Sequence, residues 1–180
     1  MKTKKQNRIG DWFLTYTGKQ FWPLDPRPED ICIEDIAHAL SNICRFGGHV
    51  LNFYSVAQHS ILVHKICPTF QALMHDATEA YIGDMVRPLK VNQPDFKVAE
   101  RLIWVNICER FGINPIMQPE VKDADNIALL TERRDLMFPG GPKWELEEQY
   151  KPVKEKIITY VPYWMEKRFL QEFNRYQIRK

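Results

Sequence analysis

The chain has 180 residues, of which 44% are hydrophobic and 27% charged, and its 25 basic residues nearly balance 23 acidic ones. This composition is typical of one ordinary globular domain and excludes both a disordered chain and a strongly basic nucleic-acid-coating protein. No stretch approaches the roughly 20 apolar residues of a membrane span, and no apolar run follows the basic start of the chain as in a signal peptide.

Aromatic and β-branched residues around a glycine predict a small hairpin near the start of the chain. The segments Trp12–Tyr16 and Phe21–Trp22 flank a turn at Gly18, as two short paired strands would. We therefore expect residues 1–27 to form an N-terminal arm and hairpin packed on a helical core of residues 28–180.

From about residue 28 the apolar residues recur at helical spacing. The first predicted helix has an apolar face over residues 33–43 and is expected to end at Gly47-Gly48. Ser55 and Gln58 have the spacing of a capping box at the start of the second helix. The remaining expected helices run through Leu73 to Tyr81 as far as Gly83, from Pro94 to Gly112, from Pro119 to about Met137, and over about 161–177. The prediction is a mainly α domain of five or six helices with a minor hairpin.

Four side chains on these helices could hold one metal ion together. His59 lies on the second predicted helix, His75-Asp76 on the third and Asp125 on a later one, so three helices would have to converge. Two imidazoles with two carboxylates suit Mn, Fe, Co, Ni or Zn better than calcium, and Mg is also considered. Asp123 is an alternative to Asp125, and the sequence pattern leaves the choice between them open.

Other charged residues could act on a substrate beside such an ion. Glu79 lies one helical turn beyond His75-Asp76, where a carboxylate could position or deprotonate a water molecule. Asp84 follows the predicted helix end and can turn back toward the site. Candidate phosphate contacts are Arg45, Lys90 and Lys122, and further candidate cations are Lys5, Lys19 and Lys65.

Several other polar residues have simpler interpretations. The charge run from Thr131 to Asp135 is expected to be a solvated or inter-helix salt-bridged face, and His38 and His64 are expected to be surface or packing histidines. The four cysteines contain no C-x-x-C pair, which argues against a zinc ribbon. Their apolar neighbours predict buried thiols in a reducing compartment, the cytoplasm.

The motifs, taken in order, resemble the HD-domain phosphohydrolase superfamily. They are the segments Tyr54–His59, His75–Glu79, Gly83-Asp84 and Lys122–Asp125. In that superfamily the order His, His-Asp, Asp provides the metal ligands. The resemblance covers about residues 28–137, and it implies a compact helical bundle with a divalent metal ion bound by His59, His75, Asp76 and Asp125.

Within the superfamily the chain is similar to small bacterial 5′-deoxynucleotidases and to phage-type deoxynucleoside triphosphohydrolases that act on dATP. This similarity rests on His75–Glu79, on Gly83-Asp84, on Pro88-Leu89-Lys90 and on an N-terminal segment like those of prophage-encoded HD proteins. It implies that Glu79 is the acid/base residue and that Asp84 assists near the leaving oxygen. It also implies that Arg45 binds phosphate and that Phe46 stacks on the base or sugar.

The expected function is hydrolysis of a deoxynucleoside triphosphate, of the dATP type, to deoxynucleoside and tripolyphosphate. Alternatives are a 5′-deoxynucleotidase acting on monophosphates and a non-catalytic nucleotide-binding module, whereas the near-neutral charge makes a nuclease the weakest hypothesis. The expected partners are a small-molecule nucleotide and further copies of the chain in a homo-oligomer, with no stable nucleic acid and no membrane. For a phage-type enzyme the cytoplasm is that of the infected host.

Overall fold

A computed structural model describes residues 8–178, and in this part the protein is mainly helical with a two-stranded hairpin near its N-terminus, as the sequence predicts. The helices are α1 (Ile33–Asn42), α2 (Val56–Ile66), α3 (Phe70–Met74), α4 (Glu79–Ile82), α5 (Arg87–Lys90), α6 (Pro94–Phe111), α7 (Pro119–Leu136) and α8 (Pro162–Gln177). Short 3-10 turns occupy Pro28–Asp30, Arg45–Gly48 and Glu145–Glu148. None of the described helices combines the length and hydropathy needed to cross a bilayer.

The predicted hairpin is confirmed and contributes to the core. Strands β1 (Phe13–Leu14) and β2 (Gln20–Phe21) pair antiparallel, with Phe13 opposite Phe21. Phe21 is fully buried, and its ring stacks on that of Tyr81 with the centroids 4.0 Å apart. The first seven residues of the expected N-terminal arm lie outside the described part.

Replacing Phe21 by alanine is expected to lower the free energy of unfolding by about 3–5 kcal/mol, since the change removes a buried aromatic ring and leaves a cavity. Phe13→Ala is the matched control, because Phe13 lies directly opposite on β1 but is 37% exposed. Urea denaturation of the two variants measures the difference. If both variants lost the same small amount of unfolding free energy, the hairpin would not be part of the core.

The predicted starts and ends of the last three long helices are confirmed. Helices α6, α7 and α8 each begin with proline at the first turn, where its missing N–H has no helical partner to lose. Helix α6 ends at Gly112, which adopts the left-handed conformation with a φ of 70°. Glycine has no side chain to oppose this conformation.

The first helix is shorter than predicted. It ends at Asn42 instead of Gly47-Gly48, because the next residues are extended and Cys44 forms an antiparallel bridge with Ser55. The tight turn Arg45–Gly48 follows, and within it Phe46 has a φ of 57°, an unusual conformation for a residue with a side chain. Arg45 and Phe46 therefore lie in a turn and not on α1.

The predicted continuous helix from Leu73 to Tyr81 is wrong. Helix α3 ends at Met74 and α4 begins at Glu79, with a turn over residues 75–78 between them. In this turn the amide N–H of Ala77 donates to the carbonyl of Met74, three residues back, at 2.9 Å. Such tighter winding brings side chains three residues apart onto one side, which places Asp76 and Glu79 together.

Only half of the predicted capping box forms at the start of α2. The hydroxyl of Ser55 accepts the amide N–H of Gln58 at 3.1 Å. The Gln58 side chain instead donates to the carbonyl of Ile158 at 2.6 Å and accepts the N–H of Tyr160 at 3.1 Å. These two hydrogen bonds of the Gln58 side chain hold the irregular segment before α8 against the start of α2.

The largest core cluster joins the first and last helices. Helix α8 packs on α1 and α2, and its Phe169 and Phe173 lie in the same buried cluster as Ile36 and Leu40 of α1. All four cysteines are free thiols, but only Cys108 is buried. The expectation of four buried thiols is wrong for the other three, which lie at partly exposed positions of loops and helix ends.

Candidate metal centre and cleft

The four predicted ligands meet at one point. The Nε2 atom of His59 lies 3.3 Å from Nε2 of His75, 3.4 Å from Oδ2 of Asp76 and 3.3 Å from Oδ1 of Asp125. The Nε2 atom of His75 also lies 3.3 Å from Oδ2 of Asp76. Helix α2, the turn after α3 and helix α7 therefore converge, as the sequence analysis expects.

These separations fit a shared divalent ion. Nitrogen and oxygen ligands bind such ions at about 2.0–2.2 Å, so neighbouring ligand atoms around one ion lie about 2.8–3.6 Å apart. The ligand atoms of His59, His75 and Asp125 all lie within 4.8 Å of one another. A His-His-Asp group with a further carboxylate beside it is a donor set that can hold a metal ion.

The two imidazoles are oriented by hydrogen bonds on their far sides. Nδ1 of His59 donates to Oε1 of Glu132 at 2.6 Å, and Nδ1 of His75 donates to the carbonyl of Ala72 at 2.8 Å. A carbonyl oxygen can only accept, and so can an ionised carboxylate. In the neutral ring, the form that binds a metal ion, each Nε2 atom therefore presents its lone pair to the centre, the arrangement found for histidines that bind metals.

The charges around the centre also favour a cation. Burial alone would favour the neutral form of Asp76, but the imidazoles of His75 and His59 hold the pKa of its carboxyl well below the usual range. Burial is outweighed in the same way at Asp125, whose pKa is lowered by its hydrogen bond with His59. Burial and Arg45 favour the neutral imidazole of His59, but the carboxylates of Glu132 and Asp125 raise its pKa to about 9.

Above the centre lies a cleft of about 1060 Å³, at the top of the range for small-molecule sites. His59 lies beneath its floor, with no exposed surface. The other predicted site residues all line the cleft, namely Arg45, Phe46, His75, Asp76, Glu79, Asp84, Lys90, Lys122 and Asp125. The fold thus brings the whole predicted set to one place.

Glu79 is a buried residue with a carboxylate oxygen that accepts no hydrogen bond. Its side chain is 6% exposed, and its Oε2 atom has no hydrogen-bond partner among residues 8–178. Burial, reinforced by the carboxylates of Asp76 and Asp84, raises the pKa of Glu79 well above its usual range. Burial also raises the pKa of Asp84, against the opposing charge of Arg45.

Arg45 lies between the metal centre and the cleft. Its Nε donates to Oε2 of Glu132 at 3.2 Å, and its Nη1 lies 3.6 Å from Oδ2 of Asp76. The guanidinium carbon is 5.0 Å from the ring centroid of Phe46. Arg45 is therefore held by carboxylates on one side and reaches the cleft on the other.

The candidate lysines differ in their surroundings. Lys90 forms an ion pair with Glu100, and Lys122 pairs with Asp125 at 2.7 Å. Lys19 donates to the carbonyl of Glu29 at 3.1 Å, and Lys65 is exposed on α2; both lie away from the cleft wall. Lys5 lies outside the described residues.

The structure gives Asp123 and Asp125 different surroundings. Asp123 accepts a hydrogen bond from the hydroxyl of Tyr150 at 2.6 Å, while Asp125 faces His59. His38 stacks on Tyr16 with ring centroids 3.6 Å apart, as expected of a packing histidine. His64 packs similarly, with Nδ1 3.1 Å from the carbonyl of Thr69.

Glu132 is the most important residue that the sequence analysis missed. It belongs to the charge run Thr131–Asp135, and a solvated face is wrong for it, since it has no exposed surface. The inter-helix salt-bridge alternative describes it better, because it pairs with Arg45 at 3.2 Å. One signal could have found it: it follows Asp125 by seven residues, two helical turns, and therefore shares its face of α7.

The cleft wall contains further residues that the sequence analysis did not single out. Helix α5 contributes Arg87, and one side of α6 contributes Lys97, Arg101 and Trp104. Trp144, from the loop after α7, lines the cleft with the guanidinium of Arg133 5.0 Å from its ring centroid. These residues add cations and aromatic surfaces to the cleft, and apart from Arg87, which directly precedes Pro88-Leu89-Lys90, they do not adjoin the recognised motifs.

Comparison with known sequences identifies bacterial relatives. The uncharacterized protein YfdR of Escherichia coli (strain K12) is 46% identical over 165 residues, which are 89% of this chain and 92% of YfdR. An uncharacterized protein of Rhodobacter capsulatus is 34% identical over 127 residues, 63% of this chain and 64% of that protein. No protein-family model matches the chain.

Proposed function

This chain belongs to the family of the Escherichia coli protein YfdR, and we propose that it is a metal-dependent phosphohydrolase of deoxynucleotides with an HD-type site. The observation that carries the proposal is the convergence of His59, His75, Asp76 and Asp125. Directly beside them lies Glu79, with an unpaired buried oxygen and a large open cleft above it. A purely nucleotide-binding module has no need of such a carboxylate.

The proposed reaction is attack of water on the α-phosphorus, with cleavage of the bond from phosphorus to the 5′ oxygen. When bound at this centre, a divalent cation polarises a phosphoryl oxygen and makes a water molecule more acidic. Glu79, which lines the cleft beside the metal ligands and has an unpaired Oε2, accepts the proton of the attacking water. Asp84, whose pKa is raised, returns a proton to the departing 5′ oxygen, and Arg45 faces the negative charge on the phosphate.

Four cations on one wall of the cleft support a triphosphate as substrate. Arg87 and Lys90 come from α5, and Lys97 and Arg101 lie one turn apart on α6. Arg87 and Arg101 are exposed and line the cleft, and within residues 8–178 neither guanidinium group forms a hydrogen bond or an ion pair. Free guanidinium groups suit the β- and γ-phosphates, which they can bind through paired hydrogen bonds. We therefore favour release of a deoxynucleoside and tripolyphosphate.

A 5′-deoxynucleotidase is the second candidate. Two of the predicted phosphate contacts, Lys90 and Lys122, already have carboxylate partners in Glu100 and Asp125. A site that keeps those ion pairs offers less positive charge beyond the α-phosphate. This would suit a monophosphate, which has no further phosphates to bind. The same four ligands and Glu79 would serve either reaction.

The test is a substrate screen with purified protein and added Mn²⁺, Co²⁺, Mg²⁺ or Zn²⁺. All deoxy- and ribonucleoside mono- and triphosphates are incubated, and nucleoside, phosphate and tripolyphosphate are separated by ion-exchange chromatography. Tripolyphosphate from a deoxynucleoside triphosphate is the expected product. Phosphate from monophosphates alone would establish the 5′-deoxynucleotidase instead, and absence of turnover with every metal would contradict the proposal.

Removing the two free arginines is expected to affect triphosphates selectively. In the double variant Arg87→Ala/Arg101→Ala we expect KM for the triphosphate to rise at least about 100-fold, since each arginine would lose at least one hydrogen bond to a charged group, which contributes about 1.5–3 kcal/mol. KM for a monophosphate should change little. Steady-state kinetics measure both, with Lys65→Ala on the exposed side of α2 as the control. Equal losses for the two substrates would show that this wall does not contact the terminal phosphates.

A further inference from the structure

Glu132 is a fully buried carboxylate at the base of the metal centre. It lies on α7 with no exposed surface, and each of its oxygens has a different partner. Oε1 accepts the Nδ1–H of His59 at 2.6 Å, and Oε2 accepts the Nε–H of Arg45 at 3.2 Å. A buried carboxylate is costly unless its partners hold it firmly, and none of the chemical steps proposed above uses it.

Its two partners belong to two different parts of the site. His59 reaches the point where the four ligands meet, with its Nε2 3.3 Å from Asp125. Arg45 lines the cleft, with its Nη1 3.6 Å from Asp76. One carboxylate thus contacts both the group that would hold a cation and the group that would face a phosphate. Asp76 also approaches both side chains, but it lies on the Nε2 side of His59, where the ligands meet, whereas Glu132 accepts hydrogen bonds from Nδ1 of His59 and Nε of Arg45 on the side away from that point.

We propose that Glu132 is a positioning residue that sets the cation affinity and the anion affinity of the site together. By accepting from Nδ1 it leaves the Nε2 lone pair of His59 for the ion, and by accepting from Nε it holds the other guanidinium nitrogens of Arg45 toward the cleft. The inference rests on the metal centre of the proposed function. It does not depend on which nucleotide is hydrolysed.

A glutamine at this position distinguishes positioning from packing. Glutamine has nearly the same shape as glutamate but offers one acceptor and one donor group, whereas His59 and Arg45 both require an acceptor. If its NH₂ group faces His59, Nδ1 has to accept and Nε2 carries a hydrogen that blocks the ion. If the NH₂ group faces Arg45, the guanidinium is displaced. Either orientation weakens one of the two sites, and exchange between them weakens both.

The experiment is calorimetric titration of metal-free protein with Mn²⁺. We expect Glu132→Gln to bind Mn²⁺ about 10–100-fold more weakly than the unmodified chain, the usual effect of losing a hydrogen-bond partner of a metal-binding histidine. Titration of the Mn²⁺-saturated proteins with inorganic phosphate is expected to show a weaker phosphate affinity as well. Circular dichroism checks that the variant is folded.

Glu172→Gln is the matched control. Glu172 is a buried carboxylate on α8 that pairs with Arg175 at 2.6 Å and with Arg168 at 3.7 Å, away from the cleft. Loss of a buried ion pair alone would lower the unfolding free energy of both variants, but only Glu132→Gln should change the Mn²⁺ affinity. If Glu132→Gln binds both Mn²⁺ and phosphate as the unmodified chain does, the inference is overturned and the metal centre stands.

Two further outcomes are distinct. If the unmodified chain binds none of Mn²⁺, Co²⁺ and Zn²⁺, the metal centre and the proposed function fail together. If Glu132→Gln does not fold, Glu132→Asp takes its place, since aspartate keeps the charge but is one methylene too short to reach both partners. Weaker Mn²⁺ binding by that variant is expected, and unchanged affinities for Mn²⁺ and phosphate would overturn the inference.

Discussion

His75→Ala protein is expected to lose both its bound ion and its turnover. The substitution removes one of the two imidazole ligands, whose Nε2 lies 3.3 Å from both His59 and Asp76. Loss of an outer hydrogen-bond partner weakens metal binding about 10–100-fold, so loss of a ligand itself should exceed about 100-fold. Asp76→Ala should behave in the same way, because its Oδ2 is within 3.4 Å of both imidazoles.

Metal analysis after dialysis against Mn²⁺, followed by assay with the preferred nucleotide, measures both effects. The control is His64→Ala, since His64 is a partly buried histidine of α2 that binds the Thr69 carbonyl and lies outside the cleft. It should retain the ion and the activity. A His75→Ala protein that still bound one equivalent of Mn²⁺ would show that the ion sits elsewhere.

Glu79→Gln protein is expected to keep the ion and lose turnover by about 10²–10⁴-fold, the usual contribution of a general acid or base. Glu79 lines the cleft and has an unpaired Oε2, but among the described residues its carboxylate has no contact with His59 or His75 like those of Asp76. Its amide counterpart fills the same space and cannot accept a proton. The effect should therefore fall on kcat, with Mn²⁺ affinity unchanged.

Parallel calorimetry and steady-state kinetics separate the two quantities. Glu166→Gln provides the control, because Glu166 pairs with His38 at 3.0 Å on the far helix α8. It should match the unmodified chain in both measurements. A near-full rate in Glu79→Gln would remove Glu79 from the mechanism, and lost Mn²⁺ binding would make it a ligand instead.

The comparison of sequence and structure shows which parts of the fold are encoded locally. The starts of α6, α7 and α8 could be predicted because proline at a first turn is a local signal. The break after Met74 could not, because the apolar positions Leu73, Ala77 and Tyr81 keep a helical spacing across it. The bridge from Cys44 to Ser55 that ends α1 early is likewise a contact between distant residues.

The site was predictable to a similar extent. His59, His75, Asp76 and Asp125 could be selected by their order and spacing, and the structure brings them together. Glu132 could not, since a run of charged residues on a helix is usually a solvated face. Arg87 and Arg101 carry no motif, and only the packing of α5 against α6 brings them to the cleft.

The packing of α8 on α1 determines when the domain can be completed during synthesis. Phe169 and Phe173 fill the same cluster as Ile36 and Leu40, and the bonds from Gln58 to residues 158 and 160 join parts of the chain 100 and 102 residues apart. Closing such long loops costs entropy before any contact compensates for it. A nascent chain that has left the ribosome only as far as α7 carries all four metal ligands but has an open core. During synthesis the four metal ligands therefore leave the ribosome before α8, the helix that completes the core around them.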